Sequence, residues 1–388
     1  MNYQVGYCTN VHAGTTLQEV RANLIEFSEP VKARVSPESS LGIGMWLSVD
    51  CARQLSDSKR LGELNDYLEN AGLYPFTFNG FPFGNFHDKV VKRQVYSPTW
   101  AEKERLEYTL QLANIQSQLL PDGATGSIST LPIGWPQDGF AVTWNSGDQD
   151  TVTQAAANLK EVANSLHAIF EKTGRKIQLA IEPEPGCLID NKDGAIRFFE
   201  EFISEPWQRE YLGICHDVCH SSVMFEPQAE ALKAYREHGI QVFKVQVSSA
   251  IEIDFEKLDE PQRKEGFSQL GNFAEDRYLH QTSIRHNGKQ SFFEDLHVAL
   301  DQHESRGNWR VHFHVPLFAD RFDWVGTTQR DVLECLKAMR EYHPTTRHFE
   351  IETYAWNVLP TKFHDESLST GIARELCWFM DQLKSIQP

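Results

Sequence analysis

Short apolar runs recur along the chain, and between them lie longer stretches whose apolar residues fall three and four positions apart. The runs at 3–10 (YQVGYCTN), 41–49 (LGIGMWLSV), 73–81, 126–133 and 177–183 read as strands. Those at 211–218, 240–248, 309–317 (WRVHFHVPL) and 348–356 (HFEIETYAW) read the same way. Between them, SKRLGELNDYLENAG, AEKERLEYTLQLANIQSQLL, VTQAAANLKEVANSLHAIFEKTG and TQRDVLECLKAMREYH read as helices, with Gly72 and Gly174 placed as C-terminal caps. Strand and helix in alternation imply a parallel sheet with helices on its outside. Eight such units close into a (β/α)8 TIM barrel, so nine candidate strands are one too many. Residues 250–308 read as a segment inserted after the seventh strand, in one barrel domain spanning 1–388. An open doubly wound sheet would need a glycine-rich phosphate loop after its first strand, and YCTNVHAGTT offers none.

The later strands alternate with period two, and their polar positions gather near the end of each. Glu182 and Glu184 follow Leu179 and Ile181. His312 and His314 alternate with Val311, Phe313 and Val315, and Glu350 and Glu352 flank Ile351. Lys244, Gln246 and Ser248 alternate with Val245 and Val247. Helices must cover one face of a barrel strand, so the apolar residues point outward and the polar ones inward, toward the rim where barrel active sites sit. Carboxylates and imidazoles gathered there repel one another or shift their pKa values unless a cation neutralises them. Asp217 closes a strand and is followed by His220 at D-x-x-H spacing. Glu182, Asp217, His314 and Glu352 together make a mixed oxygen and nitrogen set for a divalent ion. Mn²⁺ or Mg²⁺ suits it best, with Zn²⁺, Co²⁺ and Fe²⁺ also compatible. Cys215 and Cys219 raise a rival zinc reading, but no second Cys/His cluster lies nearby to complete it. Each assignment has a bland counterpart: a rim ion pair for the glutamates, a histidine that merely packs for His220 or His312.

Two further stretches suggest substrate contacts. FNGFPFGNFH, ending at His87, follows the third strand and is rich in aromatics and glycine; Trp135 follows LPIG after the fourth. Both read as covers over a bound molecule, or equally as plugs in the barrel mouth.

The formal net charge of −17 argues against a nucleic-acid partner and an anionic membrane surface. No apolar run reaches the length of a transmembrane helix, and the start of the chain lacks the pattern of a secretory signal. Seven scattered cysteines suit a reducing cytoplasm.

On these motifs the chain resembles the xylose-isomerase-like TIM barrels, which include sugar isomerases, ketose epimerases, inosose dehydratases and endonuclease IV. LAIEPEP resembles their I-E-P-K-P strand end, which implies metal ligation by Glu182. Glu184 stands where that motif has a lysine, which argues against an aldose-ketose hydride shift. DVCH at 217–220 resembles their E-x-x-H or D-x-x-H, implying Asp217 as ligand and His220 as ligand or substrate contact. HFHVP implies His314 as ligand, and ETYAW implies Glu352 as ligand and acid/base. Gln246 falls where epimerases carry a ligating histidine. Longer stretches resemble the EboE family of metabolite-traffic proteins: NGFPFGNFH, SISTLPIGW, YLHQ, VHFHVPLF and ETYAWNVLP. They imply a bacterial cytoplasmic protein associated with movement of a secondary-metabolite precursor.

Together these readings predict a metal-dependent isomerase, epimerase or lyase acting beside a carbonyl of a small polyhydroxylated or carbonyl metabolite. Glu182, Glu184 and Glu352 are the catalytic carboxylates; His87, Trp135, His220, Gln246 and His312 are the substrate contacts. The alternatives are a metabolite carrier on the same barrel and, less well matched to the charge, an endonuclease-IV-like phosphodiesterase. A homo-oligomer stays open.

Overall fold

The computed structural model describes residues 3–136, 144–302, 304–359 and 367–386. Its centre is a closed parallel barrel of eight strands. Seven of them are β1 (Gln4–Cys8), β2 (Leu41–Trp46), β3 (Leu73–Asn79), β4 (Thr125–Thr130), β5 (Lys176–Ile181), β6 (Leu212–Asp217) and β7 (Val242–Val247). After these, the chain makes β8 (Ile251–Asp254), β9 (Thr282–His286), β10 (Lys289–Phe293), β11 (Asn308–Val311), β12 (Arg321–Phe322) and β13 (Val325–Thr327). It then returns to close the barrel with β14 (His348–Ile351), which pairs with both β7 and β1.

The helices between barrel strands follow from their sequences. Helix Ser58–Ala71 begins where the Asp57 carboxylate accepts the Arg60 amide, and it ends at Gly72, whose φ of 65° favours glycine. Helix Gln149–Thr173 buries Val152, Ala155, Leu159, Val162 and Leu166 on one stripe and ends at Gly174, φ 69°.

Strands β8 to β13 form a second, six-stranded sheet whose pairings are all antiparallel. The structure therefore corrects the placement of 309–317. Only Asn308–Val311 is strand, and it pairs with β8 and β9 in the second sheet, outside the barrel. From His312 the chain leaves the ladder, with the Phe313 amide donating to the Val311 carbonyl in a tight local turn. The second sheet also runs further than residue 308, ending at Thr327. Among the described residues no helix is long and apolar enough to cross a membrane.

The barrel interior is polar at its centre. Lys244 on β7 and Glu350 on β14 are fully buried and ion-paired at 2.5 Å, and the Lys244 ammonium also donates to the Ser129 hydroxyl at 3.0 Å. Burial pulls the Lys244 pKa down, but the Glu350 carboxylate more than offsets it and the ammonium stays charged. Gly44 makes room for this pair: a Cβ there would lie 1.3 Å from Glu350 Oε1. Replacing Lys244 with Met strands an uncompensated buried carboxylate. Chemical denaturation should show a loss of about 3–5 kcal/mol. A Lys244→Met/Glu350→Gln double variant should recover much of it, and equal losses in both would show that the ion pair is not what matters.

Candidate metal centre

Six of the side chains that build the site stand at or just beyond the C-terminal ends of barrel strands. Asn10 follows β1, Asn79 ends β3, Glu182 and Glu184 follow β5, Asp217 ends β6 and Glu352 follows β14. The chain leaves the ladder there, so each side chain is directed by its own local hydrogen bonds. Asp217 is also the N-cap of helix Val218–Val223. Its Oδ1 accepts the His220 amide at 3.0 Å and the Ser248 hydroxyl at 2.7 Å. Capping thus occupies one carboxylate oxygen and leaves Oδ2 buried with no hydrogen-bond partner. Glu182 Oε2 is orphaned in the same way. Glu352 Oε1 accepts the Asn10 amide at 2.6 Å and the Asn79 amide at 2.9 Å.

Glu182, Asp217 and Glu352 bring one oxygen each within 4.8 Å of one another. All three are buried, at 2%, 2% and 6% exposure. Burial, then the Glu352 and Asp217 carboxylates, push the Glu182 carboxyl well above the ordinary carboxylate range. Burial, then Asp217 and Glu350, push Glu352 up to about 8.

Three histidines complete the cluster. His220 Nδ1 lies 2.9 Å from the Pro183 carbonyl and His314 Nδ1 lies 2.7 Å from the Glu352 carbonyl. His312 Nδ1 lies 2.8 Å from the Gln281 side-chain oxygen. That oxygen is identified because the other Gln281 side-chain atom donates to Tyr96 and Glu184. A carbonyl oxygen only accepts, so each Nδ1 carries the proton and each Nε2 presents a lone pair. The Nε2 atoms of His312 and His314 face each other at 3.1 Å, an arrangement that two lone pairs do not hold by themselves. Burial keeps all three imidazoles neutral: His220 falls to about 3, His314 to about 4, and His312, helped by His220, well below its usual range. Neutral imidazoles with a fixed Nδ1 proton are the form in which histidine ligates metals.

This donor set fits a divalent ion on two counts, the orphaned carboxylate oxygens and the converging lone pairs. Asp217 belongs both to the carboxylate triplet and to a group with His220 and His314. A further group joins Glu184, His220 and His312. The expected ligands Glu182, Asp217, His314 and Glu352 are therefore neighbours, and His220 and His312 stand with them in ligand-ready form. Cys215 belongs to none of these groups, whereas Cys219 joins one with His312 and His314. Burial, then Asp217, holds the Cys219 thiol well above its usual range and thus protonated.

Glu184 is placed differently. Its Oε1 accepts the Tyr96 hydroxyl at 2.6 Å and the Gln281 amide at 2.9 Å, and burial, partly offset by those bonds, brings its pKa to about 7. It faces a cavity above the carboxylates. Phe81 and Phe86 from the stretch after β3 line that cavity. Arg105 anchors the start of this stretch by donating to the Gly80 and Phe81 carbonyls, each at 2.9 Å. Three expected substrate contacts are not among the cavity's lining residues. His87 bonds the Asn10 carbonyl at 2.6 Å, Trp135 packs on Tyr96 at 5.0 Å between centroids, and Gln246 lies in the barrel next to Glu352. Pro360, the last residue of ETYAWNVLP, lies outside the described residues. Sequence reasoning missed Asn10, Asn79, Tyr96, Gln281 and Tyr354. The two asparagines carried a signal, since each is a polar residue at the end of an apolar strand.

Behind Asp217 a small cavity is lined by Asp190, Glu226, His216 and Tyr235. Burial, then Glu226, pushes Asp190 up to about 8, and burial raises Glu226 to about 7 against the pull of Lys192. A carboxyl with a raised folded-state pKa binds its proton more tightly folded than unfolded. Its stabilising effect is complete below the unfolded value and is lost as pH rises through the folded one. The thermal midpoint should therefore fall between about pH 5 and pH 8, and Asp190→Asn should flatten that slope. An unchanged slope in the variant would remove Asp190 from the account.

No family model matches the chain, and no curated protein does. Solved structures do. An L-ribulose 3-epimerase aligns with TM-score 0.53 at 11% identity, covering 99% of this chain and 95% of that one. A xylose isomerase-like TIM barrel protein from Mycobacterium smegmatis, in complex with magnesium, aligns with TM-score 0.54 at 13% identity over 99% and 97%. This chain has the fold of the xylose isomerase-like TIM barrels. The IOLI protein, with a bound zinc atom, aligns to the same barrel with TM-score 0.50 at 13% identity over 99% of both chains.

Proposed function

We propose that this xylose-isomerase-like barrel is a divalent-metal-dependent isomerase, epimerase or lyase that moves a proton next to a carbonyl of a small metabolite. The observation that carries this reading is the convergence of orphaned Glu182 and Asp217 oxygens and three histidine lone pairs beside Glu184, a carboxyl poised near neutrality. Glu182, Asp217, Glu352 and His314 would hold the ion, with His220 and His312 as additional nitrogen ligands. A bound divalent ion would chelate adjacent substrate oxygens and acidify the neighbouring C–H. Glu184, held by Tyr96 and Gln281, accepts the proton; a base with pKa near the working pH is the efficient one. Glu352 or Glu182 returns it. Structural neighbours that are epimerases support this reading at the level of the superfamily.

The stretches that resemble EboE proteins favour a place in bacterial, cytoplasmic handling of a secondary-metabolite precursor, with a small molecule rather than nucleic acid as partner. Glu184 in place of the isomerases' lysine and Gln246 in place of a ligating histidine favour a second reading, a carrier that binds without turnover. Solvent deuterium entering a panel of α-hydroxyketones beside the carbonyl separates the two. Metal-dependent incorporation supports the enzyme, and bound metal with no incorporation supports the carrier.

A further inference from the structure

The upper wall of the cavity differs from its floor. Phe81, Phe86, Val91, Val95, Tyr278 and Leu279 all face it. A ladder of aromatic contacts climbs from the donor cluster to this wall. His314 meets Tyr354 at 4.6 Å between centroids, Tyr354 meets Tyr278 at 4.9 Å, and Tyr278 meets Phe86 at 5.0 Å.

The polar groups among these lining residues are already engaged within the protein. The Tyr278 hydroxyl donates to the Phe86 carbonyl at 3.3 Å, and Lys92 is ion-paired with Asp295 at 2.5 Å. The Tyr96 hydroxyl donates to Glu184 and accepts from Gln281. Asn79 donates to Glu352 and accepts the Phe81 amide at 3.0 Å. The Asn10 side-chain oxygen is buried and unpartnered, and it stands at the floor, since its own amide donates to Glu352. The Tyr354 hydroxyl likewise belongs to the floor, 3.5 Å from His312 Nε2.

A site that recognises a polyol must offer a hydrogen-bond partner to each hydroxyl it buries, because an unmatched buried hydroxyl is costly. Above the floor this wall offers few partners to hydroxyls, chiefly the remaining N–H groups of Lys92 and the Tyr278 oxygen, and most of it is aromatic and aliphatic surface. From this we infer that the ligand is amphiphilic: two adjacent oxygens at one end, seated on the metal centre and Asn10, and a flat or branched apolar body along the Phe86–Tyr278 wall. A free sugar is the wrong class. The inference rests on the metal-centre reading above and names the substrate class of that site.

Calorimetric titration of the full-length, Mn²⁺-loaded protein with 2-hydroxyacetophenone and with D-fructose tests it. Both carry a carbonyl beside a hydroxyl, and only the first carries an apolar body. The phenyl ketone should bind at least about ten-fold more tightly, and Val95→Asn should narrow that ratio. Equal or tighter binding of fructose overturns the inference, as does failure of both ketones to bind a protein whose metal content is intact. Metal content is measured on the same sample. A protein that takes up no Mn²⁺ fails the metal-centre reading itself, and the inference falls with it.

Discussion

Replacing Asp217 with Asn should lower divalent-metal affinity by about 100-fold or more, since even loss of an outer-shell partner of a metal ligand costs about 10–100-fold. The same change should raise the thermal midpoint of the metal-free protein. Asp217, Glu182 and Glu352 are buried together, and burial first, then the neighbouring carboxylates, raise the Glu182 and Glu352 carboxyls, so without a cation ionised groups are disfavoured here. An amide removes one charge. It also preserves the local fold, because Asn caps a helix about as well as Asp and its oxygen can still accept the His220 amide and the Ser248 hydroxyl. The two effects have opposite signs, so a thermal shift assay with and without Mn²⁺ reads both. Wild type should gain a large increment from the ion, and the variant should start higher and gain little. A variant that is less stable and still gains from Mn²⁺ would show Asp217 to be a structural cap only.

Glu184→Gln should behave in the opposite way. Metal uptake should survive: Glu184 stands with His220 and His312 but outside the carboxylate triplet, and its Oε1 is already taken by Tyr96 and Gln281. The amide oxygen can still accept from Tyr96 and Gln281, so the wall keeps its shape. What disappears is the proton acceptor. Deuterium exchange into an α-hydroxyketone should fall by about 10²- to 10⁴-fold, the range for removing a positioned general base. Wild-type exchange should rise with pH as the Glu184 carboxyl, near 7, gives up its proton. The variant should lack that rise. Full exchange in Glu184→Gln would move the role of base to Glu352 or Glu182.

Much of this was legible in the pattern of apolar runs. β2 and β3 begin at the expected residues, and Gly72 and Gly174 cap helices as expected. Several strands end short of the expected boundary, β1 at Cys8 and β5 at Ile181, because side chains at the rim turn from the ladder toward the site. The alternation in WRVHFHVPL misled, for a physical reason: a period of two marks a strand with one covered face and does not say which sheet it joins. Val311 ends β11, and His312 and His314 are aimed by bonds to Gln281 and to the Glu352 carbonyl, not by strand geometry. Tyr96 and Gln281 were invisible. Neither lies within a strand or helix with the periodic pattern that marks buried faces, and their partner Glu184 is distant in sequence. The carboxylates were legible because an acidic residue closing an apolar strand needs a reason, and a cation supplies one.

The most direct measurement is anomalous diffraction from crystals grown with Mn²⁺, collected on both sides of the manganese absorption edge. The account predicts an anomalous peak among Glu182, Asp217, Glu352 and the three histidines, with oxygen and nitrogen ligands at bonding distance. Crystals that contain Mn²⁺ elsewhere but show no peak among those residues would contradict it.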